Sequence, residues 1–592
     1  MKKTLSLLLS LVFVVSLLAG CGNPGTTTAT PTPDANPETS GTPAPEGTPA
    51  PSAGGPFEIT LNIASEPQSI DPALNSAVDG AIMLGHMFEG LMKWKDSGVE
   101  TPGSDGTCTN AELTEGQAES YEKVVNDDGT VTYTFKIRSD ARWSDGKPVT
   151  AGDFVYSWQR LVTPETTADY NYMIDSVVNA NEIMAGDMDP TELAVSAPDD
   201  STFVVTLTSD LPYFLEVCAF PATFPVRQDV TTKDDGTPND QWTFDVATYL
   251  CNGPYKLTAW NHNSEIVMEP NEQYYDAANL GPDKITFKLM DDQNAMLSGF
   301  NSGELDFIED VPQAELPDLI ASGDLKIVDY IGTYYVCYQT QKAPFDDPRV
   351  RQAFTLAVDR TFIVDKVTQA GQVPANGFVP AGVYDAAGST GDDFRTVGGA
   401  YYSIEGDADY SYEANCEKAR ELLADAGYPN GEGFPVVEYL YNTSDAHKAV
   451  AEALQNMWET ELGVKVTLNN QEWAVFLQTR KDGNYSIARN GWIADYNDPM
   501  SFLDMWLTGG GNNDAQYANA DYDAKIQEAK NTTDPAARMQ LMHEAENIIM
   551  GQDWALNPLY FYTQKYMLSD RVGGMFYTPL GYFFFSYAHP NA

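Results

Sequence analysis

From residue 57 onward, apolar positions recur with two periods that take turns along the chain. Phe57, Ile59, Leu61 and Ile63 alternate with Glu58, Thr60 and Asn62, the period of a half-buried strand. Beyond the turn Glu66–Pro72, Ile82, Met83, Met87 and Leu91 predict a helix that carries Phe88-Glu89-Gly90-Leu91. Val131, Tyr133, Phe135 and Ile137 alternate with Thr132, Thr134, Lys136 and Arg138 after the turn signal Asp127-Asp128-Gly129. Thr150 is placed to cap a helix whose inner face is Phe154, Val155 and Trp158. Strands are predicted at Phe203–Leu207, after Asn252-Gly253-Pro254-Tyr255, and at Ile285–Leu289, with Gly303–Asp306 closing a helix into a further strand. In the second half Val350, Ala353, Phe354 and Ala357 share one helical face behind an aspartate-rich start. Helices follow at Tyr412–Ala426, stopped by Gly427, and at Ala446–Leu462, with Val450, Ala453, Leu454, Met457 and Trp458 inward. Val464, Val466 and Leu468 make the next strand, and helices with a Tyr/Phe-rich tail fill 510–592. Strands that alternate with helices in this way predict an α/β body without an internal repeat.

The first 56 residues follow neither period. Lys2 and Lys3 precede the apolar run Leu5–Leu18, which is too short for an ordinary spanning helix and ends in Leu18-Ala19-Gly20-Cys21. Small residues before a cysteine resemble the lipobox of bacterial lipoproteins. That resemblance implies removal of a signal peptide at 1–20 and a diacylglycerol anchor on Cys21. Residues 21–56 are Gly, Thr, Pro, Ala and Ser with scattered acids, and cannot bury enough apolar area to offset their ordering entropy. A disordered tether is expected there.

A chain of 592 residues is too long for one core, so two or three lobes are expected. The net charge of −51 argues against a nucleic-acid partner, which needs clustered Lys and Arg. Beyond Cys21 the five cysteines Cys108, Cys218, Cys251, Cys337 and Cys416 show no C-x-x-C spacing, so neither a zinc site nor a disulfide framework is expected. With five histidines and no H-E-x-x-H, G-x-S-x-G or P-loop spacing, an enzyme is not expected, and neither a metal nor a cofactor is implied.

The stretch Arg489–Pro499 carries the chemistry instead. It reads as a short strand that ends in an open polar turn, with an arginine, an indole and a carboxylate within seven positions. If Asp495 faces a cleft between two lobes, it can pair with a ligand's ammonium group.

Taken together, these stretches resemble the solute-binding proteins of peptide ABC importers (extracellular solute-binding proteins, family 5), in the large class of oligopeptide-binding proteins with a third domain. The resemblance covers about 57–592. It rests on Tyr133-Thr134-Phe135, Trp143-Ser144-Asp145-Gly146, Asn252-Gly253-Pro254-Tyr255, Pro344-Phe345 with Arg349-Val350-Arg351, and Ala357-Val358-Asp359-Arg360. The closest run goes from Tyr441–Asp445 through Gln471-Glu472-Trp473 to Asp495-Tyr496-Asn497.

That resemblance implies two α/β lobes that close about a hinge. The first would be discontinuous (57–78, 210–331 and 563–592), the second would span 332–562, and an extra domain would span 79–209. It further implies a lipid-anchored receptor, monomeric, that delivers short peptides to an ABC permease. Asp495 would hold the peptide's N-terminus, Trp492 would line a side-chain pocket, and Gly491, Ile493 and Val78 would offer backbone groups. Arg489 and His447 would face the peptide's carboxylate, and Tyr170 and Tyr335 would be walls. A receptor of the same fold for a metal chelate, an opine-like compound or a signalling peptide is the alternative. Departures from the family pattern are Thr368 in place of a lysine, Gln339 in place of an asparagine, and Gly332 with Ile493 where some relatives carry a cysteine pair.

Overall fold

A computed structural model describes residues 55–63, 66–100, 108–239, 241–408 and 410–591. The leader 1–20, Cys21 and the tether through residue 54 lie outside the described residues.

The first part of the chain supplies β1 (Glu58–Asn62), β2 (Met92–Glu100), β3 (Cys108–Glu115), β4 (Ala118–Val125), β5 (Val131–Ile137), β6 (Val195–Asp199) and β7 (Thr202–Leu207). Next come β8 (Tyr255–Asn261), β9 (Glu265–Pro270), β10 (Lys284–Lys288), β11 (Phe307–Ile308) and β12 (Lys326–Tyr338). The second part of the chain adds β13 (Val373–Pro374), β14 (Val437–Asn442), β15 (Val466–Gln471), β16 (Ile487–Ile493) and β17 (Leu556–Leu568).

Among the described residues the largest sheet has eleven strands and runs β15-β14-β16-β12-β17-β11-β1-β10-β9-β8, with β13 beside β17. It has two halves. In one, β1 pairs parallel with both β10 and β11; in the other, β14 pairs parallel with both β15 and β16. Two strands of 13 residues each, β12 and β17, join them. That is more than twice the usual strand length of about 5–6 residues. They pair antiparallel at Lys326–Asp329 and again from Thr333, with the register shifting in between. Such an irregularity bends and twists a strand, so Tyr330–Gly332 marks the bend between the halves. The boundaries read at 331/332 and 562/563 lie within these two strands.

A separate four-stranded sheet, β4-β5-β7-β6, is covered by a helix at Ala151–Val162. Period two in β5 puts Val131, Phe135 and Ile137 inside. Phe154 and Trp158 of the helix are fully buried and meet Phe203 of β7 at 5.9 and 5.1 Å between ring centroids, whereas Val155 is half-buried. The carboxylate of Asp153 accepts from the Thr150 amide (2.8 Å) and closes the helix start. Strands β2 and β3 do not join this sheet. They continue into Met575–Tyr577 and Phe583–Phe584 of the C-terminal tail, so part of the 79–209 segment is tied to the chain's end.

One helix is shorter than its periodicity predicts. It runs from Val78 to Met87, and Phe88 is already extended (φ −123°, ψ 163°), so Phe88–Leu91 lies outside it. The reason is tertiary. A Cβ on Gly90 would sit 2.3 Å from the carbonyl of Cys218. Glu89 is drawn into a buried network with Gln117, Tyr274, Tyr275 and Lys93. The helix packs on β8 and on Phe583–Phe584.

Candidate functional site

A cavity of about 460 Å³ is lined from both halves of the large sheet and from the bend at Tyr330. That volume falls within the ~300–1,000 Å³ typical of small-ligand sites. Strand β16 crosses its wall. Along its whole length β16 pairs antiparallel with β12, but it meets β14 only at Ile487 and Ala488. From Arg489 to Ile493 the other edge is therefore open. The Ala494 amide donates to the Ile331 carbonyl on the β12 side (2.9 Å), which fixes the even-numbered backbone groups toward β12. The odd-numbered ones, Gly491 and Ile493, then point to the open edge. The Gly491 amide meets only the side-chain oxygen of Asn490 there (2.8 Å). An extended guest can add to such an edge by main-chain hydrogen bonds that ignore its sequence.

Asp495 follows this edge and lines the cavity. It is 6% exposed. The Tyr170 hydroxyl donates to Oδ1 (3.2 Å), Ser501 Oγ lies 3.4 Å from Oδ2, and the Asp495 amide donates to Ser501 Oγ (2.8 Å). Burial, and then the charge of Asp504, hold its carboxyl well above the usual carboxylate range. Among the described residues no cation pairs with it, although its acidic neighbours in sequence have theirs. Asp498 binds Arg538 (2.7 Å), and Asp504 lies 3.4 Å from Lys530.

At the far end of the edge Arg489 is also a cavity residue without a carboxylate partner among the described residues. Its guanidinium lies over the Tyr334 ring (5.2 Å to the centroid) and 3.5 Å from the Tyr562 hydroxyl, and its Nε has no hydrogen-bond partner. His447 lines the cavity beside it, with Nδ1 3.3 Å from the Tyr334 hydroxyl. Burial, then the charges of Arg489 and Lys565, push this imidazole well below its ordinary range, so it is neutral and serves as a polar contact rather than a cation.

Trp492 lines the cavity with its ring beside Tyr170 (6.0 Å between centroids), while its indole N–H donates to the Ser501 carbonyl (2.7 Å). Tyr170, Gly491, Ile493 and Val78 line the cavity as well, Val78 as the first residue of its helix. Tyr335 is not among the lining residues. Period two along β12 turns it into the core, where it meets Phe378 (5.1 Å) and Trp506 (5.9 Å), and Tyr334 takes the face toward Arg489. Thr368 is in the wall and bonds Gln372 (3.0 Å), whereas Gln339 is buried away from the cavity against Gly483 and Gln516. Among the cavity residues that the sequence did not mark as ligand contacts are Asp79, Glu309 and Trp473. Trp473 sits in a motif quoted above. Asp79 and Glu309 look like a helix-start acid and a loop acid, and nothing in their local sequence marks them.

The family pattern for bacterial extracellular solute-binding proteins, family 5, matches residues 112–514. The chain belongs to that family. Periplasmic oligopeptide-binding protein OppA of Salmonella typhimurium is 36% identical over 518 residues, covering 87% of this chain and 88% of the relative. Among solved structures, Haemophilus influenzae OppA in complex with RPPGFSPFR superposes with a TM-score of 0.80 at 31% identity, covering 90% of this chain and 99% of that one. Against the unliganded open form of the murein tripeptide-binding MppA the TM-score is only 0.56, at 29% identity and with 91% and 99% covered. This family 5 chain is thus described in the closed arrangement of a liganded relative.

Proposed function

We propose that the chain captures short peptides between the halves of its large sheet and delivers them to the permease of an ABC importer, without catalysis. The observation that carries this reading is a buried carboxylate, Asp495, that lacks a cation and stands at the end of an open strand edge. An α-ammonium on Asp495 would supply the missing charge, and the peptide would add to β16 through the backbone of Gly491 and Ile493. Running back toward Arg489, it would lie antiparallel to β16. Asp495 stands six positions from Arg489, about 20 Å of strand, so a guest with both termini paired has at most about six residues. The names of the relatives support the same class of ligand: the Salmonella protein is oligopeptide-binding, and the Haemophilus structure holds a peptide. In this reading the protein is an extracytoplasmic monomer held to the cell membrane by lipid on Cys21.

Calorimetry with a pool of short peptides and with the same pool N-acetylated tests the reading. Leaving a buried charge unpaired should weaken the acetylated pool by roughly 30-fold or more. Equal affinity for both pools would overturn the ammonium pairing. Peptides that disappear during the titration would point to hydrolysis instead, and binding of a non-peptide amine alone would point to the other-solute receptor.

A further inference from the structure

The charges that line the cavity do not cancel. Three acid–base pairs are internal: Arg480 with Asp514 (2.6 Å), Lys481 with Asp169, and Lys565 with Asp310 (2.5 Å). Asp291 is exposed and solvated. Among the described residues that leaves one unpaired cation, Arg489, against three carboxylates without a cation: Asp495, Asp79 and Glu309. A peptide's two termini consume one charge of each sign. Two acids remain.

Those two line the same cavity, near enough for the charge of Asp79 to act on Glu309. Asp79 is 7% exposed, and neither of its oxygens meets a donor at hydrogen-bonding geometry. It occupies the first turn of the helix Val78–Met87, where the helix dipole favours a negative charge. That favour is too small. Burial lifts the carboxyl to about 6 in spite of the first amides of the helix and the Trp473 indole, all of which act to lower it. The N–H of that indole also lacks a partner. Glu309, half-buried, receives only a long contact from the Gln564 amide (3.4 Å); burial, Asp310 and Asp79 push its carboxyl up against the opposing charge of Lys565, which is itself bound to Asp310. Two like charges in one wall oppose each other's ionisation, and a cation seated between them removes that opposition. Trp473, whose indole acts on Asp79, and Tyr330, on which the Glu309 charge acts, add aromatic surface to the same cavity, the kind of wall against which a guanidinium or ammonium is held.

We propose that Asp79 and Glu309, with Trp473 across the cavity, form a subsite for a lysine or arginine side chain, so that cationic peptides are the preferred ligands. This rests on the peptide reading above and narrows it to a side-chain class. Sequence-independent contacts at β16 set that peptides bind; the second acid pair sets which of them bind best.

A positional scan by calorimetry tests the subsite. Tetra-alanine is compared with peptides that carry lysine, or its uncharged isostere norleucine, at each position in turn. At one position lysine should bind at least ~10-fold tighter than norleucine, a free-energy difference of about 1.4 kcal/mol. In Asp79→Asn/Glu309→Gln the ratio of lysine to norleucine affinity at that position should collapse to within about twofold, each peptide being compared with tetra-alanine on the same variant. No lysine preference at any position of the wild-type scan overturns the subsite, and this arm needs no variant to fold. A preference that survives in the double variant overturns it as well. If tetra-alanine and every other peptide fail to bind, the peptide reading falls too; if tetra-alanine binds and lysine gains nothing, only the subsite falls.

Discussion

A carboxylate buried beside Tyr170 and Ser501, and acted on by the charge of Asp504, keeps its proton to a higher pH than an ordinary aspartate. An ammonium ligand needs the ionised form. For a peptide without charged side chains, affinity should therefore be level above the raised value and fall by up to tenfold per pH unit below it, with one proton released per peptide bound. Calorimetry in two buffers of different ionisation enthalpy reads both effects, and a slope that begins only near the ordinary aspartate value would count against them. Asp495→Asn should lose this slope together with roughly 30-fold or more of the affinity. The same change should not lower the melting temperature at pH 7. A carboxyl with a raised folded-state pKa opposes folding at any pH above that value and ceases to do so below its unfolded value, so its removal relieves the fold. Asp495 was legible in the sequence because arginine, tryptophan and aspartate stand within seven positions on one strand and turn. Asp79 was not, because the groups it acts with, Trp473 and Glu309, lie 394 and 230 residues further along.

Strand β16 shows how an element's pairing decides what its residues can do. Gly332 of β12 faces Ile493 of β16. Because the even-numbered backbone groups of β16 turn toward β12, this is the closer, non-hydrogen-bonded kind of pair, with Cα atoms about 4.5 Å apart. A Cβ added at Gly332 would lie 2.4 Å from Ile493 Cδ1 and 2.8 Å from the Trp492 carbonyl. Gly332→Ala should thus destabilise the protein by about 1–3 kcal/mol, measured by denaturant unfolding. The double change Gly332→Cys/Ile493→Cys removes the obstructing side chain and brings two thiols within disulfide range. It should oxidise to a bridge, seen as a loss of two thiols in a free-thiol assay, and should raise the melting temperature. Two free thiols after oxidation would contradict the register. Elements whose period is set by one buried face were legible, β5 and the helix Ala151–Val162 among them. The overrun at Phe88–Leu91 was not, because Cys218 and Tyr274, far along the chain, end that helix. Tyr335 failed for a related reason: a tyrosine pair on a strand sends one ring to each side, and the sequence does not say which side is the cavity.

At the scale of the molecule, contacts outside the cavity lining tie the segment before β8 to the turn that follows β16. Tyr213 stacks on Tyr496 (4.1 Å, 2° between planes), and the Asn497 amide donates to Glu216 (3.0 Å). Burial pushes Glu216 up to about 7, so the closed arrangement favours its protonated form. In the open form a solvated Glu216 would return toward its ordinary value. As far as Glu216 is concerned, closure is then helped as pH falls from about 8 toward 5, and opposed as it rises. Glu216→Gln imitates the protonated form and should shift the unliganded protein toward closure, a decrease in radius of gyration by small-angle X-ray scattering at pH 8. An unchanged radius, or a larger one, would remove Glu216 from the clasp. Two lobes and a discontinuous first lobe were expected from a family resemblance, not from periodicity. The pairing of β3 with Met575–Tyr577, and of β11 with the end of β17, joins segments more than 250 residues apart, which no local pattern records.

The bend at Tyr330–Gly332 leaves β12 and β17 uncut as they pass from one half to the other. Shutting an empty receptor would enclose Asp495 without a counter-ion, and the two through-going strands offer an easy way back. A vacant receptor would then tend to gape and an occupied one to stay shut. The membrane machinery could tell cargo from no cargo by outline alone, without reading a single residue of the peptide inside.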